Sequence, residues 1–429
     1  MMKKSIKIFQ KISQPINDFV EIFLMQMQNA SSPFHERLNP FPFYSNMRKN
    51  NPVEYNEKSD LWNAYRYNDV KMIITNYIGF SSDFIKLLAM QYPDRTFFRR
   101  SLLSSDPPLH RHLRSVISSA FSAASIERLE PRIKNITNGM IDRVIEKGSM
   151  DLVRDLSYPL PVTVIAELLG IPAEDRDTFK RWADRLLKSI DDSVETGARR
   201  NDELEQIQNE MDDYFQEIIK EKKEKPGDDL VTRLIKAETD EKRLSEEDIL
   251  SFCALLLQAG HITTVNLINN CILSLLEHPQ QLKKIQNDDN SPSLVASAIE
   301  ETLRYRSPVQ ALVRFATKDI EVEGKTIKSG QRVIAWIGSA NHDETIFSNP
   351  EEFNVVRSPN PHIAFGAGIH LCLGASLARL ESKVAIQILL SRLQNLELGD
   401  DIRNLEPVSS SVLFYGVKSL PLLFKARQN

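Results

Sequence analysis

The sequence predicts a mainly α-helical protein with a small β-region, built as one large domain, and three observations predict it. Helical periodicity dominates from Asp106 to about Glu277, with Pro131, Gly148, Pro159, Gly170, Pro172 and Pro226 marking the boundaries between segments. Strand-like alternation is confined to short runs near the start of the chain and beyond Tyr305. No Gly/Ser-rich or Pro-rich linker divides the sequence after about residue 35, and 429 residues that are 41% hydrophobic can bury a large core.

The elements follow in order. After a Pro-punctuated entry at Pro33, Pro40 and Pro42, the runs Val53 to Asn56 and Trp62 to Tyr67 read as a hairpin, and a helix starts at the cap Asn68. The longest helix spans Ser245 to His278, capped by Ser245 with Glu246 and Glu247 and stopped by Pro279. A further helix covers Leu294 to Tyr305. Turns at Glu323-Gly324 and Ser329-Gly330 punctuate a β-region, and a last helix runs from about Leu373 to Leu393.

Composition narrows the function. Fifty-four basic residues against fifty-eight acidic ones give a net charge of -4 with both signs interspersed, which argues against a nucleic-acid partner. Three cysteines, Cys253, Cys271 and Cys372, are too few and too scattered for a disulfide framework or a zinc site, and they suit a reducing cytoplasm. Residues 1–34 read as an N-terminal extension, disordered or packed on the body formed by 35–429. Its amphipathic stretch Ile16 to Met27 is interrupted by polar residues, so neither a membrane span nor a signal peptide is expected there.

The most informative segment is Phe365-Gly-Ala-Gly-Ile-His370-Leu-Cys372-Leu-Gly374, a glycine-rich loop ending in a cysteine at the start of a periodic helix. Free cysteines are ordinarily buried and inert. A helix N-terminus, however, offers unpaired N–H groups and a positive dipole end that favour a thiolate, and Gly366, Gly368 and Gly374 would let the backbone pass close to a flat cofactor. The run resembles the cytochrome P-450 signature F-x-x-G-x-x-x-C-x-G at every fixed position, Phe365, Gly368, Cys372 and Gly374. That resemblance implies haem b (iron protoporphyrin IX) with Cys372 as its axial iron ligand. It also implies the fold of the family, a triangular α-rich prism with a long central helix over the haem.

Further segments resemble the same family in the right order. Glu301-Thr-Leu-Arg304 has the E-x-x-R spacing that puts both side chains on one helix face, and Asn349-Pro-Glu-Glu-Phe353 through Arg357 resembles the meander that completes a structural Glu-Arg-Arg network. Asp106-Pro-Pro-Leu-His110-Arg-His-Leu-Arg114 resembles a segment whose His and Arg, one helical turn apart, bind a haem propionate. Arg314 and His370 stand at the other positions where the family binds propionates. Leu156-Ser-Tyr-Pro-Leu-Pro161 and Asn360-Pro-His-Ile-Ala-Phe365 look typical of bacterial soluble members, and the likeness covers about Asn39 to Phe424.

In the long helix, Ala259-Gly260-His261-Ile262-Thr263-Thr264 resembles A-G-x-[DE]-T-T, where the glycine and first threonine form a groove for O2. Thr263 is thus the expected group for oxygen binding and proton relay. The acid position holds Ile262, which carries no proton, so His261, Thr264, ordered water or a polar group of the substrate would have to substitute, or peroxide would be the oxidant. The expected pocket is mostly apolar: Phe84, Ile85, Leu87, Leu88, Leu255, Ala259, Leu312, Leu413 and Phe414, with Gln258 and Gln310 able to hold a carbonyl or hydroxyl.

The resemblance implies an O2-dependent monooxygenase acting on a lipid, fatty acid, terpenoid, steroid or polyketide-like molecule. A separate ferredoxin or flavodoxin with its reductase would supply electrons, since no flavin or iron-sulfur sequence is fused to this chain. Two alternatives stay open: a peroxide-dependent enzyme of the same fold, and a haem protein that binds ligand without turning it over.

Overall fold

Helices take up more than half of the described residues, and their ends fall close to the expected breakers. The structure, a computed structural model, describes residues 38–427 apart from 58, 84–100, 193–196, 240–241, 288–290 and 409–412. The N-terminal extension and the pocket residues Phe84, Ile85, Leu87 and Leu88 lie outside those described.

The chain enters through α1 (Phe41–Asn50), with Pro42 in the first turn, where no backbone donor is needed. The hairpin forms as β1 (Val53–Asn56) and β2 (Leu61–Ala64). The next helix, α2 (Tyr67–Thr75), begins before the predicted cap at Asn68, because the Asp343 carboxylate accepts the Tyr67 N–H at 2.8 Å. That cap comes from 276 residues away, beyond the reach of a local signal.

Beyond β3 (Phe80–Ser81) come α3 (Leu109–Ala120), α4 (Ala123–Glu127) and α5 (Glu130–Asp142), then the short strand β4 (Ser149–Asp151). A π-helical turn at Val153–Ser157 leads into α6 (Pro159–Leu169), α7 (Arg176–Asp192), α8 (Gly197–Glu224) and α9 (Leu230–Lys236). Pro131 and Pro159 occupy the opening turns of α5 and α6, so these breakers mark helix starts. A small ladder of β5 (Glu238–Thr239) and β6 (Lys242–Arg243) follows.

The single helix expected from Ser245 to His278 is in fact two, α10 (Glu246–Gly260) and α11 (Ile262–Glu277), broken at His261, where ψ is -74°. Ser245 does cap it, but its capping-box partner is Asp248 rather than Glu246 or Glu247. Pro279 ends α11 by opening α12 (Pro279–Asn287), and α13 (Ser291–Tyr305) comes next.

The remaining elements are β7 (Leu312–Ala316), β8 (Ile320–Val322), β9 (Lys325–Ile327), β10 (Arg332–Ala335), α14 (Ile337–Ala340), α15 (Ala375–Arg392), β11 (Leu393–Leu398) and β12 (Pro421–Ala426). Glu323 and Gly324, both at positive φ, make the turn between β8 and β9 as expected. The main sheet has the order β1-β2-β10-β7-β3, with β10 parallel to β2 and antiparallel to β7. Its small core, including Val70, Ile73, Phe80, Val333 and Phe347, is separate from the large helical one.

The centre of that large core is α11, packed against α13 and α15 and buried continuously from Thr264 to Leu275. By length and apolarity Glu246–Glu277 would pass for a membrane-crossing helix, but 56% of its most apolar stretch is inside the protein, as a core helix requires. Each fully buried Leu or Ile along it stabilises the fold by roughly 1.5–3 kcal/mol.

One core position runs against this pattern. Glu381 on α15 is 1% exposed, its Oε2 has no partner among the described residues, and burial pushes its carboxyl up to about 8 from an ordinary 4.5. The folded protein therefore keeps this proton through neutrality while the unfolded chain releases it. Its contribution to stability is full below pH 4.5 and falls as the pH rises toward about 8. Glu381→Gln is expected to raise the unfolding temperature at pH 8 and to lose that advantage near pH 4.5; an unchanged or lower Tm at pH 8 would contradict the assignment.

Candidate active site

The cysteine loop is shaped by its backbone. Gly366 and Gly368 both lie at positive φ, 72° and 70°, where other residues are strained, and a Cβ on Gly368 would fall 3.2 Å from the Thr75 Cα of α2. The Cys372 N–H donates to the Phe365 carbonyl at 2.9 Å and closes the loop. Gly374 caps α15, and the N–H groups of Gly374 and Ala375 at the helix start favour the thiolate form of Cys372. Burial pushes the thiol pKa up, while those two N–H groups and the Arg114 and Arg379 cations pull it down; in the chain alone the net direction is up. Cys372 is nonetheless exposed, in contrast to the buried Cys253 and Cys271.

Four basic side chains gather at this loop. His110 and Arg114 project from α3, Arg314 from β7 and His370 from the loop itself, with the His110 and His370 rings 4.3 Å apart. Burial and then its neighbours Arg314, His110 and Arg114 lower His370 to about 3. Burial and the Arg114 charge lower His110 as well. Arg314 is 7% exposed and lowered to about 10 by burial, against the charge of Asp106, and its guanidinium donates to the neighbouring Val313 carbonyl at 2.8 Å. The Nε2 atoms of His110 and His370 are buried without partners among the described residues. Asp106 is the carboxylate whose charge acts on His110 and Arg314; a basic cluster with two partnerless ring nitrogens fits a ligand bearing carboxylates, such as the two propionates of a haem, beside a thiol that fits its iron.

The break between α10 and α11 forms the second half of the site. Thr263 Oγ1 donates to the Ala259 carbonyl at 2.8 Å and Thr264 Oγ1 to that of Gly260 at 3.2 Å, so hydroxyls take up acceptors that the helix ladder leaves. Thr263 is the one residue from His261 to Leu275 that is not buried. Leu255, Ala259 and Thr263, the expected i, i+4, i+8 stripe, are all at least partly open, and Gln258 is exposed beside them.

Other residues of the A-G-x-x-T-T segment turn away. The His261 ring packs edge-on against Tyr158 at 4.4 Å and hydrogen-bonds its backbone, and burial lowers it to about 4, so it is neutral at ordinary pH. Ile262 and Thr264 are buried. A Cβ on Gly260 would lie 2.9 Å from the Ile165 Cδ1 of α6, so a larger residue there would have to displace the end of that side chain. Tyr158 in turn donates its hydroxyl to Asp184 of α7.

Glu301, Arg304 and Arg357 do come together. Glu301 and Arg304 are 0% exposed and paired at 2.8 and 2.9 Å, and Arg357 Nε reaches both Glu301 oxygens at 3.0 and 3.1 Å. Arg304 spends its remaining donors on the carbonyls of Asn341, Pro350 and Glu352. The sequence reading missed a second tie beside it: Glu300 accepts from Arg379 at 2.6 and 2.9 Å and pairs with His362 at 3.0 Å, while Arg379 lies over the Phe365 ring. The signal was the doubled acid Glu300-Glu301, whose two carboxylates face different partners.

Of the expected pocket residues, Gln310 is a correction. It is 2% exposed, accepts from the Tyr44 hydroxyl at 2.8 Å and donates to the Ser307 carbonyl at 2.6 Å, so its polar atoms are committed within the core. Leu312, Leu413 and Phe414 are partly open; Phe414 is bridged to Val309 near the start of β7.

An α-rich fold with an accessible cysteine at a helix start, ringed by four basic side chains of which two have buried, partnerless ring nitrogens, fits a haem-thiolate protein. The chain belongs to the cytochrome P450 family, whose profile, Cytochrome P450, matches residues 44–414. It is 39% identical over 398 residues to the putative cytochrome P450 YjiB of Bacillus subtilis, covering 92% of this chain and 96% of that one. It is 41% identical over 394 residues to cytochrome P450 109 of Bacillus spizizenii, covering 90% and 92%. The crystal structure of CYP109E1 from Bacillus megaterium in complex with corticosterone superposes with a TM-score of 0.82 at 39% identity, over 91% of this chain and 99% of that one. The protein is accordingly a monooxygenase of the haem-thiolate class.

Arg304→Met leaves Glu301 and Arg357 in a buried network with one charge removed and three backbone carbonyls unpaired. A loss of about 3–5 kcal/mol in denaturant unfolding is expected, with reduced haem content on expression; a loss below about 1 kcal/mol would show the network to be dispensable.

Proposed function

We propose that Cys372 is the axial ligand of haem b, and that the chain inserts one oxygen atom from O2 into a largely apolar steroid-, terpenoid-, fatty-acid- or polyketide-like molecule. Electrons come from a separate ferredoxin or flavodoxin with its reductase, and the enzyme works as a soluble cytoplasmic protein. The observation that carries this reading is the accessible thiol at a helix start beside four basic side chains, two of which have buried Nε2 atoms without partners among the described residues.

Bound haem supplies the redox chemistry that activates dioxygen, one atom entering the substrate and the other leaving as water with two electrons and two protons. In this reading His110, Arg114, Arg314 and His370 hold its carboxylates, Phe365, Gly366, Gly368 and Gly374 shape the loop around it, and Cys372 presents its sulfur. Thr263 is the group for holding a proton: its O–H is donated to the Ala259 carbonyl, so its lone pairs are free to accept from water or a reactant. Because Ile262 has no proton, and His261 and Thr264 are withdrawn into the protein, protons reach Thr263 through water. The stripe of Leu255 and Ala259, with Leu312, Leu413 and Phe414, forms the apolar wall, and Gln258 is left as its polar contact.

The corticosterone complex of CYP109E1 makes a steroid the first substrate to try. Reduced wild-type protein under carbon monoxide is expected to give a long-wavelength Soret band that Cys372→Ala loses; an imidazole-like band in both would refute thiolate ligation. Corticosterone should then shift the haem spin state and be hydroxylated when a ferredoxin system supplies electrons.

The apolar, buried Ile262 favours one second reading, in which peroxide is the oxidant. Product formed with hydrogen peroxide, but not with O2 and a working electron supply, would select it. Under the first reading Ile262→Glu is expected to raise the fraction of reducing equivalents recovered in product; unchanged coupling with a native haem spectrum would mean that proton supply does not limit.

A further inference from the structure

A trough of about 410 Å³ lies between α5, α6 and α7, lined by residues with no part in the site described above. One wall is a single stripe of α5, Arg132, Asn135, Ile136, Gly139 and Met140, continued by the C-cap residue Arg143 and spaced as successive turns of one helix face. It is about 16 Å long at 1.5 Å per residue. The far walls contribute Pro159, Val162 and Thr163 from α6, and Arg176, Asp177 and Lys180 from α7.

The trough is apolar in the middle and cationic at its edges. Ile136, Met140, Pro159 and Val162 form its floor. Arg132, Arg143, Arg176 and Lys180 line it with one carboxylate, Asp177, while Glu167, outside the lining, engages Arg132 at 2.6 Å and Arg176 at 3.0 Å. Arg143 is exposed and has no ion pair among the described residues, and the Arg176 Nε is buried without a hydrogen-bond partner. The surplus is positive.

Gly139 is the second observation. It sits within α5, where glycine is among the worst helix formers, and a Cβ built on it meets nothing within 4 Å. No neighbour among the described residues requires a glycine there. Its effect is to deepen the apolar middle of the trough, as a bound chain would need.

We propose that this trough binds a free single-chain amphiphile carrying one anionic head, a carboxylate or phosphate ester, with the head at Arg143 and the alkyl chain over Gly139 between Ile136 and Val162. A guanidinium pairs well with either head, and the floor removes the chain from water. The site is distinct from the haem pocket.

The test is calorimetric titration of the haem-loaded full chain with monomeric decyl phosphate, phenylimidazole holding the haem pocket. Saturable binding of one molecule per chain is expected, with no change in the haem spectrum, and weakened about tenfold or more in both Gly139→Leu and Arg143→Gln. Leucine improves helix propensity at 139, and Arg143 is exposed, so both variants should fold; the carbon monoxide band checks this. No saturable binding at millimolar ligand would overturn the proposal, as would equal affinity in either variant. Inorganic phosphate binding as tightly as decyl phosphate would reduce the site to a simple anion site. Adsorption to phosphatidylglycerol vesicles without binding of the monomer would make it a membrane-contact face instead.

Discussion

The buried Glu301 carboxylate is the constraint on which the rest of the site depends. It holds Arg304 of its own helix and Arg357, and also accepts from the Asn354 N–H at 2.9 Å and from Asn360 at 3.3 Å. Through Arg304 the carbonyl of Asn341 is fixed, and the Asn341 side chain then accepts the Ile363 N–H at 2.9 Å, two residues before Phe365. A chain of hydrogen bonds thus runs from α13 to the mouth of the cysteine loop. Ion pairs of this depth add little net stability over apolar packing, because desolvation offsets most of their attraction. What the arrangement supplies is a single conformation for a segment with almost no regular secondary structure.

The two halves of the site are built by opposite means. On the cysteine side four basic side chains are gathered, with Asp106 acting on two of them, and the backbone closes the loop at Cys372. On the helix-break side polarity is withdrawn: His261 turns to Tyr158, Thr264 bonds within the helix, and the acid position is apolar. Thr263 alone stays accessible among the residues that follow the break. That contrast leaves a site able to hold an anionic cofactor firmly while offering little protonic equipment of its own.

Much of this was legible in the sequence because it rests on local chemistry. The cysteine at a helix start, the His110 and Arg114 pair one turn apart, the glycine turn at Glu323-Gly324 and the stripe Leu255, Ala259, Thr263 all follow from spacing. What escaped depends on distant partners. The start of α2 is set by Asp343, Gln310 is claimed by Tyr44 and Ser307, and Gly260 answers to Ile165. The break at His261 was hidden because hydrophobic periodicity continues across it, while the interruption lies in hydrogen bonds that threonine side chains take over.

The basic cluster at the cysteine loop bears on how the protein comes to be folded. Burial and the neighbouring Arg114 charge lower the pKa of both His110 and His370, so their rings are disposed to act as hydrogen-bond partners rather than as charges. A ligand that brings anions to that place binds the native chain and not the unfolded one, so its free concentration enters the folding equilibrium directly. A haem that docks at this loop would therefore stabilise the native chain in proportion to the logarithm of its free concentration.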